Sequence, residues 1–266
     1  EFKNSNFRRG RSGLLVLEAD EWNKSFLNYS PQIAIITNID AEHLDTYKTA
    51  AGVEKAFSAY LKKVPADGAI VANADDEPTR RIAGAFGSKV AWYSLKSKDA
   101  STLRGILKVP GDHNVSNALA ALTAARILGV RDTDTLAALL RFRGTWRRFE
   151  FKGMTQGAFV FSDYGHHPRE IAATLAGARE RFPMRRVWCV YQPHQYQRLQ
   201  HLWDDFIGAF DLADRTILLP VYDVVGRETA SAKKAVHSEK LARELAGRGK
   251  NAVYSSSFNE ARDLIR

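Results

Sequence analysis

The strongest restriction on the fold is an alternation. Short apolar runs rich in β-formers, GLLVLE (13–18), QIAIITNI (32–39), GAIVAN (68–73) and KVAWYS (89–94), are interleaved with helical spacing at 50–64 and after Pro78. Strands that alternate with helices build βα units around a parallel sheet, so the expected class is α/β. Apolar residues at Ala118, Leu119, Leu122, Ala125 and Leu128, stopped by Gly129, predict a helix over 114–128, and a second follows over 133–142. After GTWRRFEFKG (144–153), read as a turn into a strand, the alternation restarts. AFVFSD, a helix opening at Pro168, RVWCVYQ, a helix over 198–210, RTILLPV and a helix over 238–247 come in turn. Pro168 suits a first helical position because no N–H is needed there, and Glu170 strengthens the start. A domain boundary is therefore expected near Phe149, giving domains 1–149 and 150–266. The loop before Pro168 lies at a strand's carboxyl end, where open α/β sheets hold ligands.

Composition narrows the class further. Of the 266 residues, 45% are hydrophobic and 26% charged, and no apolar run is long enough to span a bilayer. The basic start EFKNSNFRRGRSG is not followed by an apolar export core, so the chain reads as cytoplasmic. The charge of +9 is carried by scattered pairs such as Lys62-Lys63, Arg80-Arg81, Arg185-Arg186 and Lys233-Lys234. Without a basic stripe interleaved with aromatics, small anionic substrates account for it and nucleic acid is not expected. Cys189, the one cysteine, sits in an apolar run and reads as a buried inert thiol.

Six segments carry polar chemistry. Glu18-Ala19-Asp20-Glu21 follows an apolar run, and its carboxylates suit either Mg²⁺ or a solvated turn and helix cap. Thr37 to Asp45 follows QIAII and adds His43 among carboxylates, as a ligand or as an exposed loop histidine. Gly111-Asp112-His113-Asn114-Val115-Ser116-Asn117 opens the long helix; its amides either hold a nucleotide or cap the helix, although capping by Asn114 leaves Asn117 without a task. Arg147-Arg148 lies at the domain junction as a phosphate clamp or a surface ion pair. Asp163-Tyr164-Gly165-His166-His167-Pro168 ends one strand; adjacent histidines make poor zinc co-ligands, and a phosphate or substrate site fits better. Gln192 to Arg198 ends the next strand and offers Arg198 to a carboxylate.

In this order, EFKNSNFR, LEADEWNKSFL, ITNIDAEHLDTY, GDHNVSNALAA, GTWRRFE, DYGHHPREI and QPHQYQRLQHLWDDF resemble the Mur ligase superfamily, with DYGHHP and QPH pointing to its MurC branch. The resemblance implies the latter part of a central ATPase domain, a mainly parallel sheet with helices, followed by an incomplete Rossmann-like amino-acid-binding domain. It implies ATP-dependent ligation of L-alanine to UDP-N-acetylmuramic acid through an acyl phosphate. Glu18 and His43 would bind Mg²⁺; Asn114 and Asn117 would face the adenine; Arg148 and Asp163 would hold ATP. His166 would stand at the phosphate, and His194 and Arg198 at the amino acid, with Arg198 on its carboxylate.

There are departures from the family pattern. The phosphate-binding G-x-x-x-x-G-K-[ST] loop, expected before EFKNSNFR, is absent from the sequence, as is the UDP-sugar domain. The only approximation, at Gly249-Lys250, has Glu244 at the first glycine position and Asn251 after the lysine. Turnover by this stretch alone is therefore not expected. The chain ends at Arg266, short of the family's closing strands. Gln195 stands where a basic residue is common in the MurC branch, leaving open a different amino acid or a murein peptide ligase, while the absent phosphate-binding loop leaves open a non-catalytic homologue that binds a nucleotide or partner.

Overall fold

The computed structural model describes residues 7–223 and 228–265. Glu1 to Asn6, which open the EFKNSNFR segment, lie outside the described residues. The chain forms two compact units, one of residues 1–97 and 119–132 and the other of residues 98–118 and 133–266.

The first unit contains a parallel sheet of β1 (Ile33–Ile36), β2 (Ala69–Asn73) and β3 (Val90–Tyr93) in that order. Its helices are α1 (Leu44–Tyr47), α2 (Ala50–Leu61) and α3 (Glu77–Gly84). The central strand β2 is covered on both sides: Ile70, Val71 and Ala72 are fully buried, as a parallel strand requires. Ala34, Ile36, Ile70 and Ala72 pack with Val53, Ala56, Tyr60 and Leu61 of α2, and Phe26 stacks on Tyr60. Thr49 caps α2 by accepting from the Gly52 N–H. A Cβ on Gly52 would come within 2.2 Å of the Tyr47 carbonyl, so this turn needs glycine.

The second unit contains α4 (Lys98–Ile106), and the division between the units falls within α5 (Asp112–Ile127) and at the start of α6 (Asp132–Arg141). Next come the antiparallel pair β4 (Glu150–Thr155) and β5 (Ala158–Ser162), then α7 (Pro168–Arg181). A parallel sheet follows, β6 (Trp188–Tyr191), β7 (Arg215–Leu218) and β8 (Ala252–Tyr254), with α8 (Tyr196–His201) and α9 (Trp203–Ala209) between the first two strands. After β7 come α10 (Ala230–Ala235), α11 (Ser238–Gly247) and, past β8, α12 (Phe258–Ile265). The two-residue alternation of β7 sorts its side chains between two cores. Leu218 joins Leu175, Phe206, Leu241 and Leu245, whereas Ile217 and Leu219 meet Ala261 and Leu264. Helices thus cover both faces, the doubly wound arrangement expected of this class.

Three expectations change. GLLVL forms no strand: Leu14, Leu15, Val16 and Leu17 are exposed, Val16 at 91%. An apolar β-rich run becomes a strand only when a neighbour completes its ladder, and β1, an edge of its sheet, pairs with β2 alone. AFVFS is a strand, but it pairs antiparallel with β4 rather than joining the parallel sheet, because the tight Gln156-Gly157 connection allows only a hairpin. The helix expected over 198–210 is broken at Leu202 into α8 and α9. Cys189 is half-buried rather than fully buried, and desolvation pushes its thiol up to about 12, so it is an inert thiol.

Candidate functional site

In the first unit, residues 18–21 lead without regular structure into 3₁₀ turns over Trp22–Asn28. Asp20 braces the entry to these turns, its Oδ1 accepting from the Trp22 N–H at 2.8 Å. Glu18 is exposed. His43, in a left-handed conformation (φ 54°), precedes the single turn of α1, and its Nε2 lies 3.3 Å from Glu21 Oε1. That hydrogen bond holds the Glu21 carboxyl below its ordinary range against the opposing effect of burial. The Tyr47 hydroxyl donates to the Glu21 carbonyl. Burial, reinforced by the Glu21 and Asp20 charges, pushes that phenol up to about 12. The carboxylate that meets His43 is thus Glu21, which sequence reasoning did not select. Among the described residues no group of three or more His, Cys, Asp or Glu is assembled around a metal position.

In the second unit, α5 begins two residues earlier than expected, after Gly111 at φ 94°. Asn114 is therefore inside the first turn rather than at the cap, and its Nδ2 donates to the Pro110 carbonyl at 2.7 Å. Asn117 is exposed on the next turn. The Gly111 N–H donates to Glu180 of α7 at 2.9 Å, and Gly177 of the same helix packs closely on Pro110 and Gly111. Partial desolvation of the His113 ring, helped by Arg148, lowers its pKa, with Asp163, Asp112 and Glu180 pulling the other way.

Arg148 sits at the crest of a strained loop, between Arg147 (φ 57°) and Phe149 (φ 46°), both left-handed without being glycine. Side chains from a distance hold this geometry. Asp163 accepts from the Phe149 N–H (2.8 Å) with one oxygen and from the Gly165 N–H (2.7 Å) with the other. Glu150 accepts from the Arg147 N–H at 3.1 Å, and Phe149 stacks on Phe161. Arg147 lies over the Tyr164 ring at 4.6 Å.

The two adjacent histidines diverge. His167 is buried and caps α7, its Nδ1 accepting from the Arg169 N–H at 3.3 Å. His166 turns the other way, to Tyr164 (ring centroids 5.6 Å apart) and His194 (6.3 Å). The surface ion pair held open for Arg148 exists: its Nη1 donates to Glu170 at 2.9 Å. Glu170 also accepts from the His166 and His167 N–H groups, at 2.9 and 3.1 Å. Burial pushes its carboxyl up, but these bonds, the His166 imidazole and Arg148 outweigh it and bring the group down to about 2. Arg198 Nη1 donates to the His194 carbonyl at 3.2 Å. His194 stacks on Tyr222 at 5.2 Å, where the two backbones form an isolated parallel bridge.

The structure therefore brings Arg148 and His166 to Glu170, braces the Arg148 loop with Asp163, and joins His166 to His194 and, through the His194 carbonyl, to Arg198. Glu170 was legible as a helix-start residue, although its hold on Arg148 was not. Tyr222 had no local signal at all, because it reaches His194 across 28 residues of chain.

Two domain models match the chain: the Mur ligase middle domain over residues 5–125 and the Mur ligase glutamate ligase domain over residues 147–266. The UDP-N-acetylmuramate–L-alanine ligase of Clostridium acetobutylicum is 35% identical over 284 residues, covering 98% of this chain and 60% of that protein. The enzyme of the same name from Bdellovibrio bacteriovorus is 38% identical, covering 89% and 56%. The crystal structure of the UDP-N-acetylmuramate-alanine ligase MurC of Thermotoga maritima matches with a TM-score of 0.67 at 27% identity, over 91% of this chain and 55% of that one. The chain thus spans 60% or less of the length of these relatives. With the two domain models following one another along it, the chain belongs to the Mur ligase family.

Proposed function

We propose that this chain is the ATP- and amino-acid-handling portion of a cytoplasmic ligase that joins L-alanine to UDP-N-acetylmuramic acid in cell-wall precursor synthesis. In this reading residues 1–149 are the latter part of the ATP-binding domain and residues 150–266 the amino-acid-binding domain. The observation that carries it is the 35–38% identity, over nearly the whole chain, to relatives named for that reaction. The grouping of Arg148, Asp163 and His166 next to His194 and Arg198 supports it.

The reaction transfers the γ-phosphoryl group of ATP to the muramyl carboxylate, giving an acyl phosphate and ADP. The alanine amine then attacks the acyl carbon, phosphate leaves and the amine loses a proton. Both steps concentrate anionic oxygens, so the protein's contribution is positioning and positive charge. Arg148 supplies a guanidinium fork for phosphate oxygens, and Arg198 one for the alanine carboxylate. His166 stands near the transferred phosphate and His194 beside the amino acid. Asp163, with both oxygens on backbone N–H groups, keeps the Arg148 loop in its strained form. Asn114 and Asn117 face the adenine.

By the resemblance, Glu18 and His43 would hold Mg²⁺ carried in with the nucleotide, Glu18 through an exposed carboxylate of the kind such an ion takes, with water and phosphate completing its shell. When bound, the ion neutralises charge on the phosphates. Glu21 meanwhile orients the His43 ring.

The test is phosphate release from ATP and Mg²⁺ by the longest reading frame containing this chain, and by the chain alone. Release should require both UDP-N-acetylmuramic acid and L-alanine and be missing from the chain alone, which has no phosphate-binding loop. In the active protein, Arg148→Ala should lower kcat about 100-fold. An inert reading frame that still binds nucleotide would leave the non-catalytic homologue as the answer, and release with another amino acid a different ligase of the family.

A further inference from the structure

A glutamate at the third position of a helix normally satisfies one N–H, that of the N-cap residue. Glu170 does this for His167 and goes further: the same oxygen accepts from His166, and its other oxygen takes Arg148, 22 residues upstream. Three carboxylates converge on the Arg148 loop, and they divide the work. Glu150 and Asp163 fix its backbone. Glu170 is the carboxylate that fixes the Arg148 side chain. One of the five guanidinium donors is used in that pair and the side chain is 49% exposed, so the fork can still meet an anion.

We infer that Glu170 is a positioning residue, holding the Arg148 guanidinium and the His166–His167 backbone in one arrangement that presents both to the phosphate; this rests on the ligase reading above. Its charge anchors Arg148 and its reach sets the distance from Arg148 to the start of α7. A plain helix cap would need only the acceptor.

Glu170→Gln separates the two roles, because the amide oxygen can still accept from the His166 and His167 N–H groups while the charge on Arg148 is lost. In the full reading frame, kcat should fall about 10- to 100-fold while the KM for ATP changes less than about 3-fold. In an Arg148→Ala background the same substitution should add less than about 2-fold, because both changes remove one interaction. Glu170→Asp keeps the charge but withdraws it by one methylene, and it serves as the second variant if Gln does not fold; it should lower kcat in the same way. Full kcat in either folded variant, or losses that multiply with Arg148→Ala, overturns the inference and leaves Glu170 a helix cap while the ligase reading stands. A wild-type protein without sugar- and alanine-dependent release removes both together.

Discussion

Asp163 and Glu170 are both carboxylates of the DYGHHPRE segment, yet the fold uses them differently. Asp163 has both oxygens on backbone N–H groups and braces a turn. Glu170 bonds backbone on one side and a guanidinium on the other. Its ordinary value is 4.5 and in the folded protein it lies near 2, so its stabilisation is complete above about pH 4.5 and fades as pH falls toward 2. Urea unfolding should find Glu170→Gln less stable than wild type by about 1–2 kcal/mol near neutral pH, a figure reduced for partial solvent screening. The gap should close as the pH is lowered through 3 toward 2. A gap of constant size would show that the carboxylate charge is not what stabilises the α7 start.

At the scale of elements, α7 shows how much of a local motif the sequence states. Pro168 at the first turn, Glu170 behind it and apolar residues at Ile171 and Leu175 mark both its start and its buried face. The helix then presents Gly177 and Glu180 to the turn before α5, a contact no local pattern announces. That turn depends on Gly111, whose φ of 94° an alanine adopts only with strain and whose added Cβ would come within 2.7 Å of the His113 ring. Gly111→Ala should cost about 1–3 kcal/mol in chemical denaturation. A neutral result would mean that the turn before α5 relaxes to a negative φ at no cost. The split of α8 from α9 is a lesser case: the chain over 198–210 carries helical spacing throughout, and Leu202 (φ −110°) interrupts it.

At the scale of the molecule, each unit stands on its own buried strand. Leu218 is fully buried at the end of β7, the middle strand of its sheet, and packs with residues of α9 and α11, so Leu218→Ala should destabilise the second unit by about 2–5 kcal/mol. Val16 has the opposite standing: with 91% of its surface exposed in an apolar run, Val16→Asp should change stability by less than about 0.5 kcal/mol. It should also reduce concentration-dependent association measured by light scattering, because four neighbouring exposed apolar residues form an adhesive stretch. A large stability loss on Val16→Asp would show that residues 14–17 are packed in solution. No helix among the described residues is long and apolar enough to cross a membrane.

Periodicity and punctuation along the chain were enough for the α/β class, the strands β1, β2, β3, β6 and β7, and helices α2, α3, α5, α6, α7 and α11, because alternation of apolar runs is a local property that burial then uses directly. The polar segments at strand ends were legible for the same reason: the chemistry of a carboxylate or guanidinium travels with the residue. Partnership is not local. Whether GLLVL becomes a strand depends on a neighbour to complete its ladder, and whether AFVFS joins a sheet beyond its own hairpin depends on what packs beside it. Glu21 meets His43, and Glu170 meets Arg148, through distances that only the packed backbone sets. Residue order makes certain groups available beside the strands; packing selects which of them touch, because a hydrogen bond or ion pair requires an approach of about 3 Å that no spacing along the chain specifies.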